Sequence, residues 1–160
     1  MGTDCHHEDG VRTGLSGHAL TDALALAEIR CGQSRERLTG PRRRVLELLL
    51  GAGGPQKAYD LIAAFGTQGE AAKPPTVYRA LEFLERLGFA HRIESLNAYV
   101  ACHRHETGHR AAFLICGCCG TASEFEPDLD APIAVAAPAG YLVQAVTLEA
   151  RGLCPACQRA

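Results

Sequence analysis

The sequence has no run of 18 consecutive apolar residues, which excludes a hydrophobic helix long enough to cross a bilayer. It has no apolar leader: the opening Met1-Gly-Thr-Asp-Cys-His-His-Glu8 is polar and acidic, so no secretory signal is expected. It has no internal repeat and no low-complexity tract, which sets aside solenoids and biased linkers. Basic residues are scarce outside the middle of the chain. Residues 1–29 carry one Arg against five acids, residues 30–92 carry eleven Lys and Arg against six, and residues 93–160 carry four Arg against seven. The net charge of -2 therefore hides a middle of +5 between ends of -4 and -3. Only that middle is suited to meet a polyanion, although a solvated charged face would read the same on charge alone.

What is present fits one domain or two small ones: 160 residues, 47% hydrophobic, enough for a real core. Without a leader a cytoplasmic location is expected, and there eight cysteines serve more readily as metal ligands than as a disulfide framework. Two pairs stand out, Cys116-x-x-Cys119 and Cys154-x-x-Cys157. Doubled C-x-x-C offers four thiolates to a tetrahedral ion, the geometry of closed structural zinc sites. Disulfides and buried free thiols are the plainer alternatives. The gap between the pairs exceeds that of a zinc ribbon, so a small subdomain must fit inside it.

Taken in order, residues 1–14 lack periodicity and read as a flexible tail, where Cys5, His6 and His7 bind metal at most adventitiously. From Ser16 the apolar residues Leu20, Leu24, Ala27 and Cys31 recur at helical spacing, with Gly32 as a stop and Cys31 in the core. Thr39 caps a second helix with Pro41 in its first turn, stopping at Gly51-Ala-Gly-Gly-Pro55. Arg42, Arg43 and Arg44 fall in that first turn, where the helix dipole disfavours cations, so phosphates are expected to compensate them. A short helix over Lys57–Phe65 follows. Pro75 or Thr76 then starts a helix that Gly88 ends, burying Val77, Leu81, Leu84 and Leu87 and turning Tyr78, Arg79, Glu82 and Arg86 elsewhere. Phe89–Glu94 and Ala98–Ala101 alternate around a turn at Ser95-Leu-Asn97, a β-hairpin. Short helices followed by a hairpin predict a winged helix-turn-helix over residues 15–101, whose second helix enters the major groove.

Beyond a hinge at residues 102–110, residues 111–160 predict an α/β domain. Strands are expected over Ala111–Ile115, Thr121–Phe125 and Tyr141–Leu148, with a short helix over Pro132–Ala139. The hinge region is dense in ligand types: His91, Cys102, His103, His105, His109, then Glu124. A metal held there would join the two domains. His105-Glu-Thr-Gly-His109 matches the H-E-x-x-H of metalloproteases, with Glu106 as base, but Gly108 and a preceding strand deny it the helix that the chemistry requires. A deaminase reading is weaker still, because Leu153 rather than proline precedes Cys154.

These features together resemble the ferric uptake regulator family, and within it the zinc uptake regulators most. The carrying stretches are Arg37-Leu-Thr39, Ala58-Tyr-Asp-Leu61, Lys73-Pro-Pro-Thr-Val-Tyr-Arg-Ala-Leu81, Gly88-Phe-Ala-His91, Tyr99-Val-Ala-Cys102, Phe113 to Gly120 and Gly152 to Cys157. The resemblance covers Ala19 to Cys157. It implies an α+β chain, with a winged helix followed by a small dimerisation domain carrying a four-cysteine zinc site. The activity implied is that of a zinc-responsive repressor, not an enzyme. It would bind a palindromic operator as a homodimer, with two dimers on one operator an option. Cys116, Cys119, Cys154 and Cys157 match the structural zinc ligands. His91, Cys102, His109 and Glu124 match the sensing ligands, giving two zinc ions per subunit. Tyr59 and Arg79 match base-contacting residues. Beside them Thr76 and Tyr78 share the DNA face, and Lys57, Lys73 and Arg42 to Arg44 are expected on phosphates. An iron or peroxide sensor of the same family is the rival, disfavoured by the thiolate in the sensing set. The chain departs from the family in placing Pro41 one position late, in the extra thiol Cys118, and in having only His103-Arg-His105 for a third site.

Overall fold

A computed structural model describes residues 14–66, 73–102, 111–125 and 148–159. They fall into two compact units, one of residues 14–102 and one of residues 111–159.

Among its described residues the first unit holds four helices and a small sheet. Helix α1 spans Gly17–Gln33 and buries Leu24, Ala27 and Cys31, the stripe that 3.6-residue periodicity predicts. Ser16 occupies the N-cap with extended backbone, but its side chain makes no capping bond. Helix α2, Gly40–Ala52, is the centre of the core through Val45, Leu46, Leu49 and Leu50. It ends at Ala52, within the expected Gly51-to-Pro55 stop, because Gly53 takes the left-handed conformation at φ 66. Helix α3 spans Ala58–Phe65 and buries Leu61. Helix α4, Pro74–Arg86, opens on two prolines at positions where a missing N–H costs nothing. It buries Val77, Ala80, Leu81, Phe83 and Leu84; Leu87, expected in this stripe, is only half-buried.

The residues before α3 differ from expectation. Gln56–Lys57 form a short strand, β1, and the helix begins only at Ala58. Strands β2, Ala90–Ile93, and β3, Ala98–Ala101, form the expected antiparallel hairpin, with β1 on the far side of β3. A single 3-10 turn at Glu94–Leu96 and Asn97 at φ 47 make the reversal. Asn tolerates that left-handed backbone better than most residues. Phe89, Ala90, Tyr99 and Ala101 close the helical core from the sheet side. The unit is a winged helix-turn-helix.

Among its described residues the second unit forms a three-stranded sheet in the order β5-β4-β6. Strand β4 is Ala112–Cys116, β5 is Ala122–Phe125 and β6 is Leu148–Gly152. β4 and β5 pair antiparallel around the first cysteine pair; β4 and β6 pair parallel. The expected helix over Pro132–Ala139, and the expected strand up to residue 147, lie outside the described residues, as do the tail to residue 13 and the hinge from 103 to 110.

Candidate metal centres and nucleic-acid interface

The parallel pairing of β4 and β6 builds the first centre. Parallel neighbours leave a sheet by the same end, and they need a crossover of a dozen or more residues between them. Hence the long gap between the cysteine pairs. Cys116 sits opposite Gly152 in the register, so the turn after β4 and the segment after β6 emerge side by side. The Gly117 amide donates to the Gly152 carbonyl at 2.9 Å, and the Gly120 amide donates to the Cys116 carbonyl at 3.0 Å. Gly120 lies at φ 73, a conformation that most side chains would resist.

Within that frame the four sulfurs of Cys116, Cys119, Cys154 and Cys157 lie within 4.8 Å of one another. Cys119 and Cys154 sulfurs are 3.8 Å apart. Four sulfurs at a zinc–sulfur distance of about 2.3 Å form a tetrahedron with edges of about 3.8 Å. The donor set and its spacing therefore fit zinc. The surroundings also favour charge on the first pair. Amide donation by Cys119 and Cys154 pulls the Cys116 thiol down to about 6, and the Cys154 amide stands 3.3 Å from that sulfur. The Thr121 hydroxyl, 3.2 Å from the Cys119 sulfur, holds that thiol below its ordinary range. Burial, reinforced by hydrogen bonds from the neighbouring thiols, pushes Cys157 up to about 12. The neighbouring sulfurs thus hold back ionisation of Cys157, which a bound cation would favour. Cys118 is exposed, is held in a disulfide and takes no part in the cluster.

The second expected centre is described in halves. On the winged unit, β2 and β3 pair Ala90 with Ala101 and His91 with Val100. The Cys102 amide donates to the Phe89 carbonyl at 2.9 Å, extending the ladder by one residue. His91 and Cys102 are then diagonal neighbours on one face, and their ligand atoms lie within 4.8 Å of each other. Cys102 is buried and His91 half-buried. On the other unit Glu124 is half-buried on β5, opposite Phe113. His109, His103, His105 and Glu106 lie outside the described residues, as do Cys5, His6 and His7. Cys31 is buried on α1, as expected of a core residue.

The nucleic-acid candidates divide into exposed and engaged. Tyr59 on α3 is 78% exposed and Tyr78 on α4 is 46% exposed, leaving two aromatic faces open to solvent. Arg79 is exposed beside Tyr78, Thr76 is half-buried in the first turn of the same helix, and Lys57 and Lys73 are exposed at the starts of α3 and α4. The three arginines of α2 differ from the reading that phosphates must offset them. Arg43 pairs with Glu28 at 3.5 Å, Arg44 with Glu47 at 2.9 Å and Arg42 with Glu36 at 3.9 Å. Carboxylates of the chain already balance the dipole there. These exposed pairs are each worth about 1 kcal/mol or less, so they do not bar a phosphate. Only Glu47, three residues from Arg44, is readable locally; Glu28 and Glu36 arrive through tertiary packing. Among the described residues no helix is long and apolar enough to cross a membrane.

Residues 33–150 match the ferric uptake regulator family. The chain belongs to that family. The zinc uptake regulation protein of Escherichia coli (strain K12) is 42% identical over 139 residues, which span 85% of this chain and 81% of that protein. Among solved structures, a zinc uptake regulator complexed with zinc and DNA aligns at 40% identity with a TM-score of 0.84, over 89% of this chain and 97% of its own. Holo XcZur aligns at 43% identity with a TM-score of 0.79, over 89% and 100%.

Proposed function

We propose that the chain is a zinc-responsive repressor of zinc uptake genes, acting in the cytoplasm as a homodimer on a palindromic operator. The observation that carries this reading is the His91–Cys102 pair at the end of the wing, an imidazole and a thiol with ligand atoms within 4.8 Å. A thiolate in the sensing set favours Zn²⁺ over Fe²⁺, which disfavours the iron and peroxide readings. The similarity to a regulator complexed with zinc and DNA supports both ligands together.

Two zinc ions per subunit are assigned. Cys116, Cys119, Cys154 and Cys157 hold a structural ion. His91 and Cys102, with Glu124 and His109 as the remaining ligands, hold the regulatory one. Four protein ligands leave no position for water, which suits sensing and argues against hydrolysis by the His105–His109 motif. The regulatory ion supplies binding free energy that differs between two arrangements of the chain. About 5 kcal/mol of difference moves a population from mostly inactive to mostly active, and zinc–ligand energies of roughly 10 kcal/mol or more cover it.

On DNA, Arg79 reads a purine edge, guanine N7 and O6 fitting its fork best, and Tyr59 packs on a thymine methyl. Thr76 and Tyr78 flank them, and Lys57, Lys73, Arg43 and Arg44 hold phosphates. Half-sites about one helical turn apart suit the two recognition helices of a dimer, and a long operator would take two dimers. The test is duplex binding by the full chain against buffered free Zn²⁺, Fe²⁺ and Mn²⁺. Tight binding that appears with Zn²⁺ and not with the other two is expected. Activation by Fe²⁺ or Mn²⁺ at lower free metal would replace this reading with the iron or peroxide one.

A further inference from the structure

Arg42 is engaged in a manner unlike its neighbours. Its guanidinium carbon stands 3.5 Å from the ring centroid of Phe83 on α4, a close cation–π stack. One of its terminal nitrogens donates to the Arg37 carbonyl at 2.7 Å and lies 3.9 Å from Glu36. The other oxygen of Glu36 accepts from Arg86 of α4 at 2.9 Å, and the Arg86 guanidinium carbon is 5.4 Å from the same Phe83 ring. Phe83 is 3% exposed, and two guanidinium groups that share one carboxylate approach its ring.

The clamp acts on one stripe of α4. Phe83 is four residues and Arg86 seven residues beyond Arg79, spacings that put all three along one side of a helix. The segment before α2 and the first turn of α2 thus grip the recognition helix directly below the residue expected to read a base. We propose that Arg42 is a positioning residue for Arg79 and not a phosphate ligand, acting through Phe83, with Glu36 and Arg86 completing the clamp. A flat, always-charged guanidinium is required for this: its face covers the ring while its edge bonds the carbonyl and the carboxylate. Lysine has the charge but neither the face nor the fork.

The inference rests on the DNA-binding reading above, and the experiment separates the two. Zinc-loaded full-length chain first selects a duplex from a random-sequence library. If wild type selects none, the functional reading fails, whatever Arg42 does. If it selects one, Arg42→Lys and Arg42→Gln are compared on that duplex and on a scrambled one of equal length. Positioning predicts that Arg42→Lys weakens the selected duplex about tenfold or more and the scrambled one by less than about twofold, with the salt slope kept. A phosphate role predicts the reverse. Arg42→Lys would then match wild type, and Arg42→Gln would weaken both duplexes and lower the salt slope by about 0.9.

Glu36→Gln gives an independent sign and decides the matter if an Arg42 variant does not fold. Losing an acid near a polyanion strengthens binding if only the field matters. The clamp predicts weaker binding to the selected duplex, so stronger or equal binding by Glu36→Gln overturns the proposal.

Discussion

The sulfurs of Cys119 and Cys154 stand 3.8 Å apart although 35 residues separate them in the chain. That distance is the edge of a tetrahedron of thiolates about a zinc ion. Cys154→Ser leaves three sulfurs and no complete shell. Zinc content is expected to fall by one per chain, and residues 111–159 are expected to lose protease resistance, because binding free energy at such a site is folding free energy. A variant that keeps its zinc and its resistance would remove the structural role.

Acid should release this zinc. The Cys116 thiol is drawn down to about 6 by amide donation from Cys119 and Cys154. A folded-state value below the unfolded one means that stability is present above the unfolded value and lost as pH falls through the folded one. The bound cation lowers it further and also offsets the rise at Cys157, so zinc is expected to be held at neutral pH and released as pH falls. A chelating dye titrated against pH reads this directly; loss already complete at about pH 7.5 contradicts the amide account.

Two buried cysteines of the winged unit should part company. Cys102→Ser is expected to leave the fold intact and to abolish zinc-dependent duplex binding, since it removes the thiolate beside His91. Cys31→Ser, on the packed face of α1, should lower the unfolding midpoint and leave the zinc response alone. Equal zinc dependence in Cys102→Ser and wild type would take Cys102 out of the sensor.

Arg79→Ala is expected to cost about 1–3 kcal/mol of operator binding and to relax selection at one base position. Selection from random duplexes by wild type and variant shows this. Uniform weakening on all sequences would assign Arg79 to phosphate instead.

Leu84→Ala, at the contact of α4 with the core, is expected to destabilise the winged unit by about 2–5 kcal/mol in urea titration. A smaller cost would mean that the helices collapse into the cavity.

Local signals make most of this legible. The cysteine pairs declare themselves at a spacing of three, and α1 and α4 through apolar periodicity. Asn97 and the alternation on either side of it announce the wing. What escapes is non-local. Gln56–Lys57 is a strand only because β3 offers Tyr99 and Ala98 as partners. Strand β6, Leu148–Gly152, is exposed along most of its length and reads Leu-Glu-Ala-Arg-Gly, with no β-branched residue and no alternation; its pairing with β4 defines it. The partners of Arg42 and Arg43 come from Glu36 and Glu28, outside their own helix. On the sensing side, His91 and Cys102 are marked by residue type, while their approach depends on hairpin register.

The long crossover that the parallel pairing of β4 and β6 requires also delays completion of the cysteine cluster on the ribosome. Cys116 and Cys119 emerge long before Cys154, and at synthesis rates of about 5–20 residues per second the delay is roughly 2 to 7 seconds. Through that interval the nascent chain offers only half a coordination shell, and the Cys154 amide that helps draw down the Cys116 thiol has not yet arrived. Two bare thiols therefore stay open to oxidants until the last strand arrives.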